Sequence, residues 1–230
     1  MRISSKRPRR ALRAGLMGAC AAACTSFWAG LAGATVIGGA LTGGTAQTNG
    51  GVFVELDPTT GFSIGNDNFD DNNLYAFNED QNITITTTIN VDIGTNPVAG
   101  DIVASHYIGF DPSRSPHGGE TIQGYVDFDA AIYGIATSTG NLFASDFLAN
   151  TAVTYLNPSM RGLEASTDSV WIDALMPNRL WIDFFANTPG DYVRVFTQRS
   201  PLAPVPVPAS GVLLLTALAG VGLKRRRRQR

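Results

Sequence analysis

Between Thr35 and Leu223 the chain has no lysine and no cysteine. Its two cysteines, Cys20 and Cys24, precede that stretch in a segment that reads as an export signal, so the body can have no disulfide and no thiol chemistry. Their Cys-x-x-x-Cys spacing is not a redox motif, and Met17-Gly18-Ala19 before Cys20 lacks the leucine of a lipobox. Histidine is almost as scarce. His106 and His117 stand alone, without the spacing of zinc ligands. No Gly-x-Ser-x-Gly elbow, phosphate loop or dinucleotide fingerprint occurs, which removes the motif-bearing hydrolase, nucleotidase and dehydrogenase classes. There is also no uncharged apolar run of membrane-spanning length near the C-terminus. A spanning helix needs about 20 apolar residues, and Gly211–Leu223 supplies 13.

What is present is divided sharply by charge. Six of the 17 Lys and Arg precede residue 35, six follow residue 223, and five lie between: Arg114, Arg161, Arg179, Arg194 and Arg199. All 19 Asp and Glu lie between. The body therefore carries a formal charge of −14, while the whole chain carries −2. Such a surface repels nucleic acid and anionic lipid and attracts divalent cations.

The N-terminus has the three parts of a secretory signal. Arg2 to Arg13 form a basic region, Ala14–Leu31 is apolar and uncharged, and Ala32-Gly33-Ala34 fits a small-x-small cleavage site. Cleavage between Ala34 and Thr35 is expected, with residues 1–34 removed. Arg9-Arg10 is followed by Ala11-Leu12-Arg13, a poor match to a twin-arginine signal, which favours export of the unfolded chain.

The C-terminus mirrors this plan. Residues 200–208 hold Pro201, Pro204, Pro206 and Pro208, a density that favours an extended polyproline spacer. Then come Val205-Pro206-Val207-Pro208-Ala209, the short apolar segment 211–223 and the basic end Lys224-Arg225-Arg226-Arg227-Arg228-Gln229-Arg230. Terminal Lys and Arg keep that end cytoplasmic, so the chain before the apolar run is exported. Pro204–Arg230 resembles the PEP-CTERM class of C-terminal sorting signals, and is most similar to the variant named for Val-Pro-Leu-Pro-Ala, with Val207 in the Leu position.

The resemblance implies a sorting motif of Val205, Pro206, Val207, Pro208 and Ala209 within a signal spanning 205–230. It implies partners in an exosortase-like membrane protease and the export machinery. It implies a protein tethered to the membrane by 211–223 before processing, then placed at the cell surface or outside the cell. Such systems are tied to exopolysaccharide matrix, so the implied role is structural or adhesive rather than enzymatic.

The body, 35–199, reads as all-β. Ile83 to Ile93 alternates apolar and polar residues, the pattern of a half-buried strand. Ile102–Phe110, Thr121–Phe128, Ile132–Ala136, Val170–Asp173, Leu180–Phe185 and Tyr192–Thr197 are further strands. Val52–Leu56, Leu74–Phe77, Val153–Tyr155 and an edge strand near Ala34–Leu41 are shorter candidates. One helical stretch is expected, Leu142–Leu148. Turn signals recur about every ten residues, among them Asp111-Pro112, Asn157-Pro158 and Thr188-Pro189-Gly190. The fold expected is a single-domain β-sandwich or jelly roll, flanked by an N-terminal signal helix and a C-terminal apolar helix. The body also resembles exported β-domains often found ahead of such tails, through Ser105-His106-Tyr107, Phe110-Asp111-Pro112, Arg161-Gly162-Leu163-Glu164 and Asp191-Tyr192-Val193-Arg194. That likeness implies no activity.

Three places could carry chemistry. The stretch from Gly65 to Asn73 concentrates hard oxygen ligands, and Asp67, Asp70 and Asp71 are its candidate calcium ligands, although EF-hand spacing fails. No other cofactor is expected. Trp171 and Trp181 each open a Trp-Ile-Asp tripeptide, ten residues apart. One hairpin would set them opposite each other with Ile172 and Ile182 beneath, as cross-strand packing or as a sugar-stacking face. This makes a carbohydrate-binding module the alternative function. Asp127 and Asp129 share a strand face and are the one carboxylate pair that would suit a glycoside hydrolase, the second alternative. Arg194 and Asp191 could pair near the last strand.

Overall fold

The computed structural model describes residues 36–199 apart from 114–118, 165 and 188. The signal segment with its Ala34–Thr35 cleavage point, His117, and the tail with Val205, Pro206, Val207, Pro208 and Ala209 lie outside the described residues. No helix among those described is long and apolar enough to cross a membrane.

The chain is all-β, as its β-branched and aromatic stretches dictate. In order come β1 (Val36–Gly43), helix α1 (Gly44–Thr48), β2 (Phe53–Glu55), β3 (Phe62–Ile64), β4 (Leu74–Asn78), β5 (Ile83–Thr84), β6 (Ile93–Gly94) and β7 (Ile102–Phe110). Then follow β8 (Glu120–Phe128), β9 (Ile132–Ala136), helix α2 (Thr139–Ala144), β10 (Val153–Tyr155), β11 (Ser169–Ile172), β12 (Arg179–Ala186) and β13 (Asp191–Gln198). A short 3-10 turn, Asp146–Leu148, continues the helical stretch expected at Leu142–Leu148.

Two main sheets form. The smaller is β1-β8-β12-β11, antiparallel throughout. The larger runs β2-β4-β7-β13-β9-β6, with β5 also pairing β7. An inner core joins them: Ile122, Val126 and Phe128 of β8 and Leu180, Ile182 and Phe184 of β12 meet Ile108 and Phe110 of β7 and Val193 and Val195 of β13.

The larger sheet is covered on its other face too. There Phe77, Tyr107, Tyr192 and Phe196 form an outer core with Ile85, Ile89, Leu142, Leu148 and Val153. The covering layer is α2, the following turn and the parallel pair β3–β10. Burial on two faces explains why β7 and β13 are buried at almost every position rather than alternately. A bulge lets β9 serve both cores: Phe196 and Thr197 of β13 face Gly134 and Ile132, so Tyr133 is extra and the side-chain parity reverses.

Ile83–Ile93 departs from expectation. Its side chains keep the alternation only in part: Ile85 and Ile89 are buried and Thr84 and Thr86 exposed, but Thr87, expected on the apolar face, is exposed where the chain bends at 86–87. Only its ends pair as strands, Ile83 with Val103 and Ile93 with Ile135. The middle lies in the outer layer and satisfies its backbone irregularly, Ile85 N–H donating to Asp101 O and Ile89 N–H to Pro97 O. The period of two reports which side faces the core; it does not report a ladder partner.

Two polar side chains buried between the layers, His106 and Arg194, are paired. His106 faces the inner core, with Nδ1 2.9 Å from Asn78 Oδ1 and Nε2 3.0 Å from Thr197 Oγ1, and burial pushes its pKa down to about 3. Arg194 faces the outer core and forms a two-point ion pair with Glu79.

Candidate functional site

Carboxylates gather where β13 begins. The turn before it places Gly190 at φ 88°, with its N–H donating to Asn187 O over 2.7 Å. A Cβ at Gly190 would lie 2.7 Å from Phe110 O, so glycine is required there on both counts. This turn delivers Asp191 into the β13–β7 ladder opposite Phe110.

Glu164 and Asp168 come from the loop that leads into β11. Asp168 N–H donates to Glu164 O at 3.1 Å, and Glu164 N–H donates to Asp168 Oδ2 at 2.9 Å. Asp168 Oδ1 accepts from Phe185 N–H of β12 at 2.7 Å, which ties the loop to the smaller sheet. Glu164, Asp168 and Asp191 each place a ligand oxygen within 4.8 Å of the others, the one such set of three found among the described residues. Glu164 and Asp191, with Thr167, Phe185, Asn187 and Gly190, bound an open groove of about 280 Å³.

The electrostatics are strained. Asp191 is 2 % exposed, and its Oδ2 is buried with no N–H or hydroxyl donor. Burial, then the charges of Asp168 and Glu164, then a hydrogen bond with Glu164 push its pKa up to about 9. Burial and Asp168 also raise the Glu164 carboxyl. None of the ion pairs among the described residues involves these three groups. Such a set can share a proton, or hold a hard cation through its oxygens.

The acidic loop between β3 and β4 is built differently. Asp67, Asp70 and Asp71 are not drawn together into one ligand set. Asp71 accepts from Asn73 N–H at 2.8 Å and from Tyr75 OH at 2.5 Å. The Asp70 carbonyl accepts from Ser113 Oγ. Asn66, Asp67 and Asp70 all have positive φ, which short polar side chains tolerate. The anchor is Asp111, whose Oδ2 accepts Asn68 N–H at 2.9 Å and Phe69 N–H at 3.1 Å. Asp67 Oδ1 and Asp111 Oδ1 are buried without partners.

Trp171 and Trp181 do face each other in register, with Val170 opposite Ile182 and Ile172 opposite Leu180. The rings are 6.1 Å apart and 13° from parallel. Tyr125 of β8 extends the row, its ring 5.4 Å from Trp181. Trp181 Nε1 donates to Asp173 Oδ2 at 2.8 Å, and the Arg179 guanidinium sits 3.8 Å from the Tyr125 centroid. Trp171 is 46 % exposed, so the row opens to solvent at β11, an edge of the smaller sheet.

Asp127 is engaged by Arg179 through two bonds of 2.6 and 2.7 Å, which commits its carboxylate to the sheet surface. Asp191 and Arg194 do not pair. Three residues apart on a strand, they point to opposite faces, and Arg194 reaches Glu79 instead. The carboxylate trio was not visible in the sequence as a site. Its members are scattered over 28 residues, and the four-residue spacing of Glu164 and Asp168 is too common to single out.

No known protein family, characterised protein or solved structure matches the chain.

Proposed function

We propose that this is an exported surface or extracellular-matrix protein with a structural or adhesive role, a single β-sandwich body delivered by its C-terminal sorting signal. The observation that carries this reading is the segregation of charge: every acidic residue lies in the body, and 12 of 17 basic residues lie in the two ends. The last strand stops at Gln198, immediately before the proline spacer. A membrane protease, on this reading, acts on Val205–Ala209, which follow that strand in the sequence. On this reading the signal helix 1–34 is removed at Ala34–Thr35, segment 211–223 holds the chain in the membrane, and an exosortase-like enzyme cuts near Pro206–Ala209. The body then passes to the surface or the medium, where exopolysaccharide is the expected surrounding.

Intact mass of the protein from fractionated producing cells tests this. The expected species begins at Thr35, lacks Lys224–Arg230 and partitions to the surface or medium. A membrane-bound species retaining Arg230 rejects processing.

The row of Trp171, Trp181 and Tyr125, open to solvent at Trp171, favours one second reading, contact with polysaccharide by ring stacking. Trp171→Ala should then weaken binding to a glycan array or to isolated matrix polysaccharide about tenfold, on the ~1–3 kcal/mol scale of a single stacking residue. Because Trp171 is half in solvent, the same change should leave the unfolding midpoint nearly unmoved. Unchanged glycan binding in Trp171→Ala removes this reading.

A further inference from the structure

We propose that Glu164, Asp168 and Asp191 form a calcium site at the open end of the two sheets, independent of the sorting and glycan readings above. Three carboxylates from two segments of the chain, the loop before β11 and the start of β13, are held with oxygens within 4.8 Å of one another. The second observation is Asp191 itself. It is 2 % exposed, lines the groove, and has an Oδ2 that no N–H or hydroxyl donor reaches. A buried carboxylate oxygen without a donor is costly, and a native structure keeps one where a ligand completes it.

The surrounding structure serves as a rigid seat. Gly190 and the β7–β13 ladder fix Asp191, and Phe185 N–H fixes Asp168. Glu164, the exposed member, closes the set from the solvent side. Calcium takes six to eight oxygen ligands with tolerant geometry, and an open groove leaves room for water to complete the shell. Magnesium demands near-ideal octahedral geometry and dehydrates reluctantly, which suits a three-carboxylate seat less well. The −14 body concentrates divalent cations around such a seat.

The proton competes for the same oxygens. Among the described residues bounding the groove, the titratable groups are Glu164 and Asp191, with Asp168 completing the set. All three are acids, so cation binding displaces the proton that burial and mutual repulsion keep on the cluster.

Thermal unfolding of the full-length protein, in chelator and in calcium chloride at pH 7.5, tests the site. Calcium at about a hundredfold excess over its dissociation constant should raise the melting temperature by about 5–10 °C. Asp191→Asn and Glu164→Gln should abolish the shift. In chelator Asp191→Asn should melt at or above the wild type, because it removes the cost of burying an ionisable acid while keeping its shape. Glu164→Gln, at an exposed position, guards against misreading a folding defect. No shift with millimolar calcium overturns the site and leaves a proton-sharing acid cluster. A shift that survives in both variants, or one lost only in Asp67→Asn, also overturns it, the latter by placing calcium in the β3–β4 loop. An equal or larger shift with magnesium chloride overturns the choice of metal.

Discussion

Replacing Arg194 by methionine should lower stability by about 3–5 kcal/mol, the cost of breaking a buried ion pair by removing one partner. For a domain of this size that is a fall in melting temperature of about 6–20 °C. Arg194 lies at the centre of β13 with its side chain fully buried, as is that of Glu79. Its Nε and Nη2 donate to the two Glu79 oxygens at 2.6 and 2.8 Å. Its Nη1 donates to Leu142 O, Ser145 Oγ and Asp146 Oδ1 at 2.8, 2.9 and 3.1 Å. Burial alone would lower the Arg194 pKa, but the charge and hydrogen bonds of Glu79 hold it above its ordinary value.

Methionine fills much of the same volume, so the loss measures the charge and its bonds rather than a cavity. Glu79 would keep its bonds from Tyr155 OH and Ser105 Oγ, at 2.5 and 2.6 Å, while losing its counter-ion. Arg194→Lys should recover only part, because an ammonium cannot span a carboxylate fork, a carbonyl and a second carboxylate at once. The double variant Arg194→Met with Glu79→Leu should regain more than half of the loss, since neither charge is then left alone. Chemical denaturation followed by tryptophan fluorescence reads all three against the wild type. A single variant within about 1 kcal/mol of wild type would show that the pair is not what holds the outer layer.

That network explains where the sequence was legible and where it was not. β7, β9 and β10 were foreseen to the residue, and the Trp171–Trp181 register was foreseen in detail. In each case the signal is local: β-branched residues bounded by Asn, Asp, Gly or Pro, or a short hairpin whose turn fixes register. The three-residue strand β3 was missed because Phe62–Ile64 is too short to show a period. The outer layer was missed for a deeper reason. Alternation reveals one buried face, and β7 and β13 have two. Ser105, His106 and Arg194 look like interruptions of an apolar pattern, but they are buried groups satisfied by partners far away. Arg194 and Glu79 are 115 positions apart. A lone arginine amid Tyr192, Val193, Val195 and Phe196 was the one available hint, and its partner cannot be chosen by spacing. The same holds for Asp191, whose role depends on a loop brought to it by β11 and β12.

The outer layer should also fail together with the rest of the body. Phe77→Ala is expected to cost about 3–5 kcal/mol, the range for a fully buried aromatic, in a single transition with an unchanged denaturant slope. Phe77 is fully buried and central to the outer aromatic cluster. Its ring meets Phe62 edge-on at 5.1 Å, and lies 5.7 Å from Tyr107 and 6.2 Å from Tyr155. These partners come from β3, β7 and β10, so one truncation loosens the sheet and its cover at once. The cover is also stitched to the sheet by polar bonds. Asp80 N–H donates to Leu148 O, and Tyr155 OH to Glu79. Phe184→Ala supplies the comparison, because Phe184 is equally buried but belongs to the core between the two sheets. If the three layers form one cooperative unit, both variants lose similar stability and keep the wild-type slope. A small loss for Phe77→Ala together with a shallower slope would mean instead that the cover opens on its own, and that the stability of the body resides in the two facing sheets.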